Sequence, residues 1–276
     1  LAVEAGLKAI EDAGIYSKDI DAIYGGNMSA GSSTFQDHIG PLLADFTGLA
    51  INKVPAIRIE NGSASGAAAF HEGFLSVASG LYDTVLVGGV EKLTDVSMEE
   101  VTEVLSGEVD REWELFNGAT LASLAALIAR RYMLDYSVKR EQIALMPVLS
   151  HKHGSLNPYA QYKNIIKVED VLKSTMVAEP LTMLDCAPVS DGASAVILTT
   201  EENAKKWRKD NIVKVKASSV ASDFISLQSR ESITRFDSVI EASRKAYRMA
   251  KLEPKDISLV EVHDAFSIFG LIALED

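Results

Sequence analysis

The chain has 276 residues, 47% hydrophobic and 24% charged, enough apolar content to bury a sizeable core as one large domain or two smaller ones. A net charge of -12 without clustered Lys and Arg argues against a nucleic-acid binder, and the single cysteine, Cys186, excludes an internal disulfide or a thiolate zinc cluster. No apolar run approaches the roughly eighteen residues of a membrane span and no signal-peptide pattern opens the chain, so the expected home is cytoplasmic, away from membranes.

Residues 3 to 24, VEAGLKAIEDAGIYSKDIDAIY, carry small and apolar residues at three-to-four spacing, then KDI and β-formers, which predicts a helix, a short turn and a strand. Leu1 opens inside this helical pattern without a cap, and truncation at that end is expected. VPAIRIE then reads as a second strand, a small-residue helix departs after Ser65, and the apolar run DTVLVGGVEKL suits a strand covered on both faces. That alternation indicates an α/β sheet with crossover helices.

The turn between the second strand and its helix, GSASG at 62–66, holds two serines. A hydrolase elbow needs Ser in the middle of five residues, where Ala64 stands, so a serine-esterase reading is weakened. Ser63 lies where a helix start favours an anion; a serine there serves either chemistry or as the N-cap.

Residues 95 to 114 carry eight acids against Arg111 and read as a solvated loop or short helix. Helical patterns follow at 118–135 and 139–153, then the NPYAQY turn and a short helix near 169–174, a helical insertion in an α/β fold. His151 and His153 stand two apart, which on a helix is not one face, and a metal site is not expected. Cys186, in PLTMLDCAPVSDGASAVIL, has no helix start or adjacent basic residue to lower its pKa, and reads as an inert buried thiol before an apolar strand.

The first helix–turn–strand pattern returns near the other end. Residues 240 to 261, IEASRKAYRMAKLEPKDISLVE, align on 3 to 24 without a gap at an offset of 237, with 8 of 22 positions identical, against roughly one by chance. The chain is internally duplicated. The same offset puts the counterpart of Ser63 near position 300, beyond Asp276, so truncation is expected at this end also. In the second copy SLVEV reads as a strand with His263 at its carboxyl end, where α/β sheets place ligand groups; it is either an oxyanion donor or an ordinary histidine.

The ordered motifs ENGSASGAAAF, VLVGGVEKL, RYMLDYSVKREQIA, NPYAQY, PLTMLDCAPVSDGASAVIL and VEVHDAFS resemble the thiolase superfamily along essentially the whole chain. The likeness is to archaeal acetyl-CoA acetyltransferases and sterol-carrier-protein thiolases, which carry HDAF where classical thiolases carry NEAF. It implies a duplicated, five-layered αβαβα fold with a helical loop-domain insertion, divided as 1–94 (N-terminal half), 95–184 (insertion), 185–201 (last strand of that half) and 202–276 (incomplete C-terminal half). It implies Claisen condensation of acyl-CoA or its reverse, with coenzyme A thioester as substrate and no permanently bound cofactor, in a homodimer or tetramer. In such relatives a cysteine thiolate takes the acyl group; here Ser63 stands at that position, and little or no turnover is expected. His263 matches the histidine that holds the thioester oxygen of the enolate-forming acetyl-CoA. Phe116 and Asn117 match a pocket-lining region, and Ala187 and Pro188 a segment beside the pantetheine arm. The family's GHP histidine and CxG cysteine would lie beyond Asp276. The alternative is a non-catalytic acyl-CoA-binding or assembly subunit, partnering hydroxymethylglutaryl-CoA synthase through a small bridging protein as archaeal relatives do.

Overall fold

A computed structural model describes residues 1–207 and 212–276. In chain order its main elements are helix α1 (Ala2–Ala13), strand β1 (Ala22–Gly26), helices α2 (Ala30–Ser33) and α3 (Ile39–Phe46), strand β2 (Ala56–Ile59), helix α4 (Ser65–Ala78), strand β3 (Thr84–Glu91) and helix α5 (Met98–Ser106). Helices α6 (Leu121–Tyr136), α7 (Arg140–Ile143), α8 (Leu145–Gly154) and α9 (Val168–Lys173) follow, then strands β4 (Met176–Ala178), β5 (Leu181–Thr182) and β6 (Gly192–Thr199), and helices α10 (Glu201–Trp207), α11 (Asp237–Ala250) and α12 (Ser267–Glu275). The chain divides into two compact units, Leu1–Val104 with Ser190–Val220, and Leu105–Val189 with Ala221–Asp276.

The first unit is built on a sheet of order β2-β1-β3-β6, in which β2, β1 and β3 run parallel and β6 is antiparallel to β3. Side chains on a strand alternate between faces, and the two cores obey that period. Ile23 and Leu86 pack with Ala9, Ile10 and Ala13 of α1 and Ala44 of α3, whereas Ala22, Tyr24, Val85 and Val87 pack with Ala69, Phe70 and Val77 of α4. The sheet is therefore sandwiched between α1 and α3 on one face and α4 on the other. Val85 and Val87, 0% and 2% exposed, account for the continuous apolar run in β3.

The second unit is mainly helical, with the hairpin of β4 and β5. Its core gathers Ala125, Ala126, Ile128, Ala129 and Tyr132 of α6, Ile143 of α7, Leu181 of β5, and Phe266, Ile268 and Ile272 at and within α12. The helices expected at 118–135, 139–153 and 169–174 are α6, the pair α7 and α8, and α9. Glu114, in the stretch read as solvated, is instead buried, because its carboxylate accepts the backbone N–H groups of Asp110 (3.0 Å) and Leu227 (2.7 Å).

The duplication is visible in local geometry. Tyr16 N donates to the Asp19 carboxylate at 2.9 Å, and in the second copy Glu253 N donates to Asp256 at 2.9 Å. The pairs Glu4–Lys8 (2.6 Å) and Glu241–Lys245 (3.4 Å) also correspond. The copies part after this turn: the first enters β1, whereas the strand expected at 258–262 does not form. A strand is defined by its partner, and among the described residues none pairs with that segment, whose residues 256–261 are exposed. His263 accordingly does not close a strand. The second copy contributes α11 and the turn to its unit, and no sheet of its own among the described residues.

Candidate functional site

The residues singled out from the sequence fall in both units: Ser63 in the first, and Phe116, Asn117, Ala187, Pro188 and His263 in the second.

Ser63 is exposed in the turn that joins β2 to α4, and Asn61 and Ser63 form an isolated bridge. It is not the N-cap; Ala64 holds that position, without a side-chain cap bond. The turn is shaped by Ser65, 4% exposed, whose Oγ donates to Gly62 O at 2.6 Å and accepts from Asn61 N at 2.9 Å. This leaves Ser63 beside the positive end of a fourteen-residue helix, where negative charge is favoured. The helix start lies close against the sheet: a Cβ on Gly26 would come within 2.5 Å of Ser65 O and 2.7 Å of Gly66 Cα. Glycine at the end of β1 is what permits that approach.

Behind this corner lies a polar network the sequence did not disclose. Glu91, at the end of β3, accepts Asn27 Nδ2 (3.0 Å), Met28 N (2.9 Å), Ser29 N (3.2 Å) and Ser29 Oγ (2.5 Å). Arg58 of β2 donates to Asn27 O at 3.1 Å and Met28 O at 2.7 Å. The carboxyl ends of three strands and the loop after β1 are thus tied together, with Asn27 and Ser29 3% and 2% exposed. The only sequence signal was the position of Glu91 directly after an apolar strand pattern.

In the second unit His263 is exposed, but the residues just after it are held on several sides. Asp264 accepts Ser150 Oγ of α8 at 2.5 Å, Ala187 N donates to Ala265 O at 2.9 Å, and Cys186 and Phe266 form an antiparallel bridge. Ala187 and Pro188 are thereby brought beside the HDAF segment. Phe116 and Asn117 occupy a separate 3-10 turn, Leu115–Asn117, where Phe116 is 87% exposed and Asn117 Nδ2 donates to Trp113 O at 3.0 Å.

Burial, assisted by the neighbouring Asp185 carboxylate, pushes the Cys186 thiol up to about 11. This suits a structural thiol rather than a nucleophile. His151 Nδ1 lies 3.0 Å from Asn164 O, with its ring stacked on Tyr162. Among the described residues no group of three or more His, Cys, Asp or Glu could hold a metal ion, and no helix is long and apolar enough to cross a membrane.

Comparison with known proteins agrees with this architecture. Residues 1–202 match the thiolase N-terminal domain and residues 219–276 the thiolase C-terminal domain-like family. The chain belongs to the thiolase family, and its α/β architecture is the thiolase fold. It is 50% identical over 277 aligned residues to the acetyl-CoA acetyltransferase of Methanocaldococcus jannaschii, covering 100% of this chain and 70% of that protein. It is 30% identical to sterol carrier protein 2 of Gallus gallus, covering 100% of this chain and 51% of the relative. The solved structure of the Ltp2-ChsH2(DUF35) aldolase superposes with a TM-score of 0.80 at 27% identity, covering 100% of this chain and 70% of that one.

Proposed function

We propose that this chain is a thiolase-type acyltransferase scaffold for coenzyme A thioesters, of the acetyl-CoA C-acetyltransferase kind, in which Ser63 occupies the acyl-acceptor position. The observation that carries this is the exposed Ser63 at the start of α4, held there by the Ser65 turn and the close packing on Gly26. In the condensation a nucleophile attacks the thioester carbonyl, coenzyme A departs, and the enolate of a second acetyl-CoA displaces the nucleophile from the acyl group. His263 would donate a hydrogen bond to the thioester oxygen as the enolate forms.

A cysteine, far more acidic than an alcohol, becomes thiolate at a helix start, whereas an alcohol stays protonated and exchanges poorly with a thioester. That difference favours low turnover with serine at position 63 and lends support to a second reading, an acyl-CoA-binding or assembly subunit without chemistry. The same family likeness supports a homodimer or tetramer and, for the second reading, a hydroxymethylglutaryl-CoA synthase partner.

Intact mass after incubation with acetyl-CoA, for the chain and for Ser63→Cys, tests the proposal. An acetyl group on Ser63→Cys that maps to position 63, with little on the parent, supports the acyl-acceptor reading. Acetyl-CoA binding by calorimetry without an adduct on either form favours the binding subunit. Neither binding nor adduct overturns both.

A further inference from the structure

His263 stands at a joint: residues 258–261 before it are exposed and in no strand pairing among the described residues, while Phe266, Ser267 and Ile268 after it are buried. Beside the apolar packing of Phe266 and Ile268 and the Ser150–Asp264 hydrogen bond, one buried carboxylate holds this side. Asp185 is 2% exposed, and its two oxygens are divided between two parts of the unit. Oδ1 accepts Ser267 Oγ, at the first residue of α12, at 2.8 Å. Oδ2 accepts Thr182 N at 2.8 Å, Thr182 Oγ1 at 2.9 Å, and Arg140 Nη2 of α7. Arg140 in turn donates through Nε to Pro180 O at 2.9 Å. The carboxylate therefore ties α7 and the β4–β5 hairpin to the start of α12. Its chain neighbour Cys186 pairs with Phe266, and Ala187 N reaches Ala265 O.

We propose that Asp185 is a positioning residue for His263, acting through Ser267 to set where the HDAF segment leaves the core. The inference rests on the functional reading above for the use made of His263, but not for the geometry. A buried apolar contact would anchor α12 without direction. A hydrogen bond from Ser267 to one named oxygen of a carboxylate whose other oxygen is already committed fixes both distance and orientation. Ser267 is four residues from His263, so loss of this bond loosens the segment at its anchored end.

Ser267→Ala tests this, because it removes one bond and leaves the Arg140 and Thr182 contacts of Asp185 in place. The readout is the His263 imidazole C–H signal by NMR on the full chain, assigned by its disappearance in His263→Gln. Melting by circular dichroism runs alongside it. The expected result is loss of the single sharp His263 line, moved and broadened by exchange between positions, with recovery in Ser267→Thr, which restores the hydroxyl. A purely structural Ser267 would lower the melting temperature and leave that line where it was; an unchanged His263 signal in folded Ser267→Ala overturns the proposal. If Ser267→Ala does not fold, Ser267→Cys keeps the volume and weakens the donor, and the same two outcomes decide. The measurement needs no turnover, so failure of the acyltransferase reading leaves it interpretable.

Discussion

Gly14 and Lys251 hold the same backbone conformation at the same place in the two repeats, φ 68° after α1 and φ 57° after α11. Each ends its helix in the left-handed region, where glycine pays no side-chain penalty and lysine does. Lys251 is exposed, so Lys251→Gly is expected to stabilise the second unit, by about 0.5–1 kcal/mol. Thermal melting checks it, and a fall in stability would show that the lysine stem contributes packing.

Removing the Ser65 hydroxyl deprives Asn61 N of its acceptor and leaves Gly62 O with only the Ser65 N–H, at 3.0 Å, of its two donors from that residue. Ser65→Ala is expected to cost about 1–2 kcal/mol in denaturant unfolding. In the Ser63→Cys background it is also expected to slow acetyl transfer, because the turn that presents position 63 loses its inner brace.

Gly26→Ala places a methyl within 2.5 Å of Ser65 O, a backbone atom that cannot swing aside. The expected outcome is a loss of about 3 kcal/mol or more, as α4 is pushed off the end of β1. Urea unfolding provides the number, and wild-type stability would mean the helix start has slack that the packing does not display.

Cys186 is expected to resist alkylation. With the thiol pushed from its ordinary 9.0 to about 11 by burial and the Asp185 carboxylate, the thiolate fraction near pH 8 falls about a hundredfold below that of a free thiol. Iodoacetamide labelling in the native state should keep rising with pH beyond 9, whereas in guanidinium it should level off there. A plateau near pH 9 in the folded protein would contradict the assignment.

Asp191 gives the first unit an acid-sensitive tie. The Thr94 hydroxyl bond (2.6 Å), then the Leu93 and Thr94 amides and Lys92, hold its carboxyl down to about 2 from its ordinary 3.8. The folded state therefore binds fewer protons than the unfolded chain in that range, so the stabilisation is complete above about pH 4 and is lost as pH falls through about 2. Asp191→Asn should flatten this limb of the stability–pH curve, with a loss at neutral pH of about 1 kcal/mol given the partial exposure of the site.

Much of the first unit could be read from residue order. The three-to-four spacing before KDI marks α1, the wholly apolar run marks β3, and the Gly-containing GSASG stretch marks the turn between β2 and α4. The strand pattern at 258–262 misleads for a physical reason: β-formers make a segment suited to pairing, but the partner is supplied by the rest of the fold. The half-buried Glu91 and the buried Asp185 and Glu114 have no signature in the sequence, because a carboxylate held inside the fold looks like a surface one until its donors are known. The farthest of those donors lie 62 to 64 residues from Glu91, 82 residues from Asp185 and 113 from Glu114.

The return of β6 to the first unit has a consequence for synthesis. β3 pairs along its whole length with β6, Thr84 with Thr199 through Glu91 with Gly192, yet residues 105–189 of the second unit are made in between. On the ribosome, then, β1, β2 and β3 are complete while one long edge of β3 still waits for a strand roughly a hundred residues away. An open apolar edge is a site for wrong pairing between nascent chains. The first unit therefore carries an open strand edge through the synthesis of much of the second, and that interval closes only when Thr199 has cleared the exit tunnel.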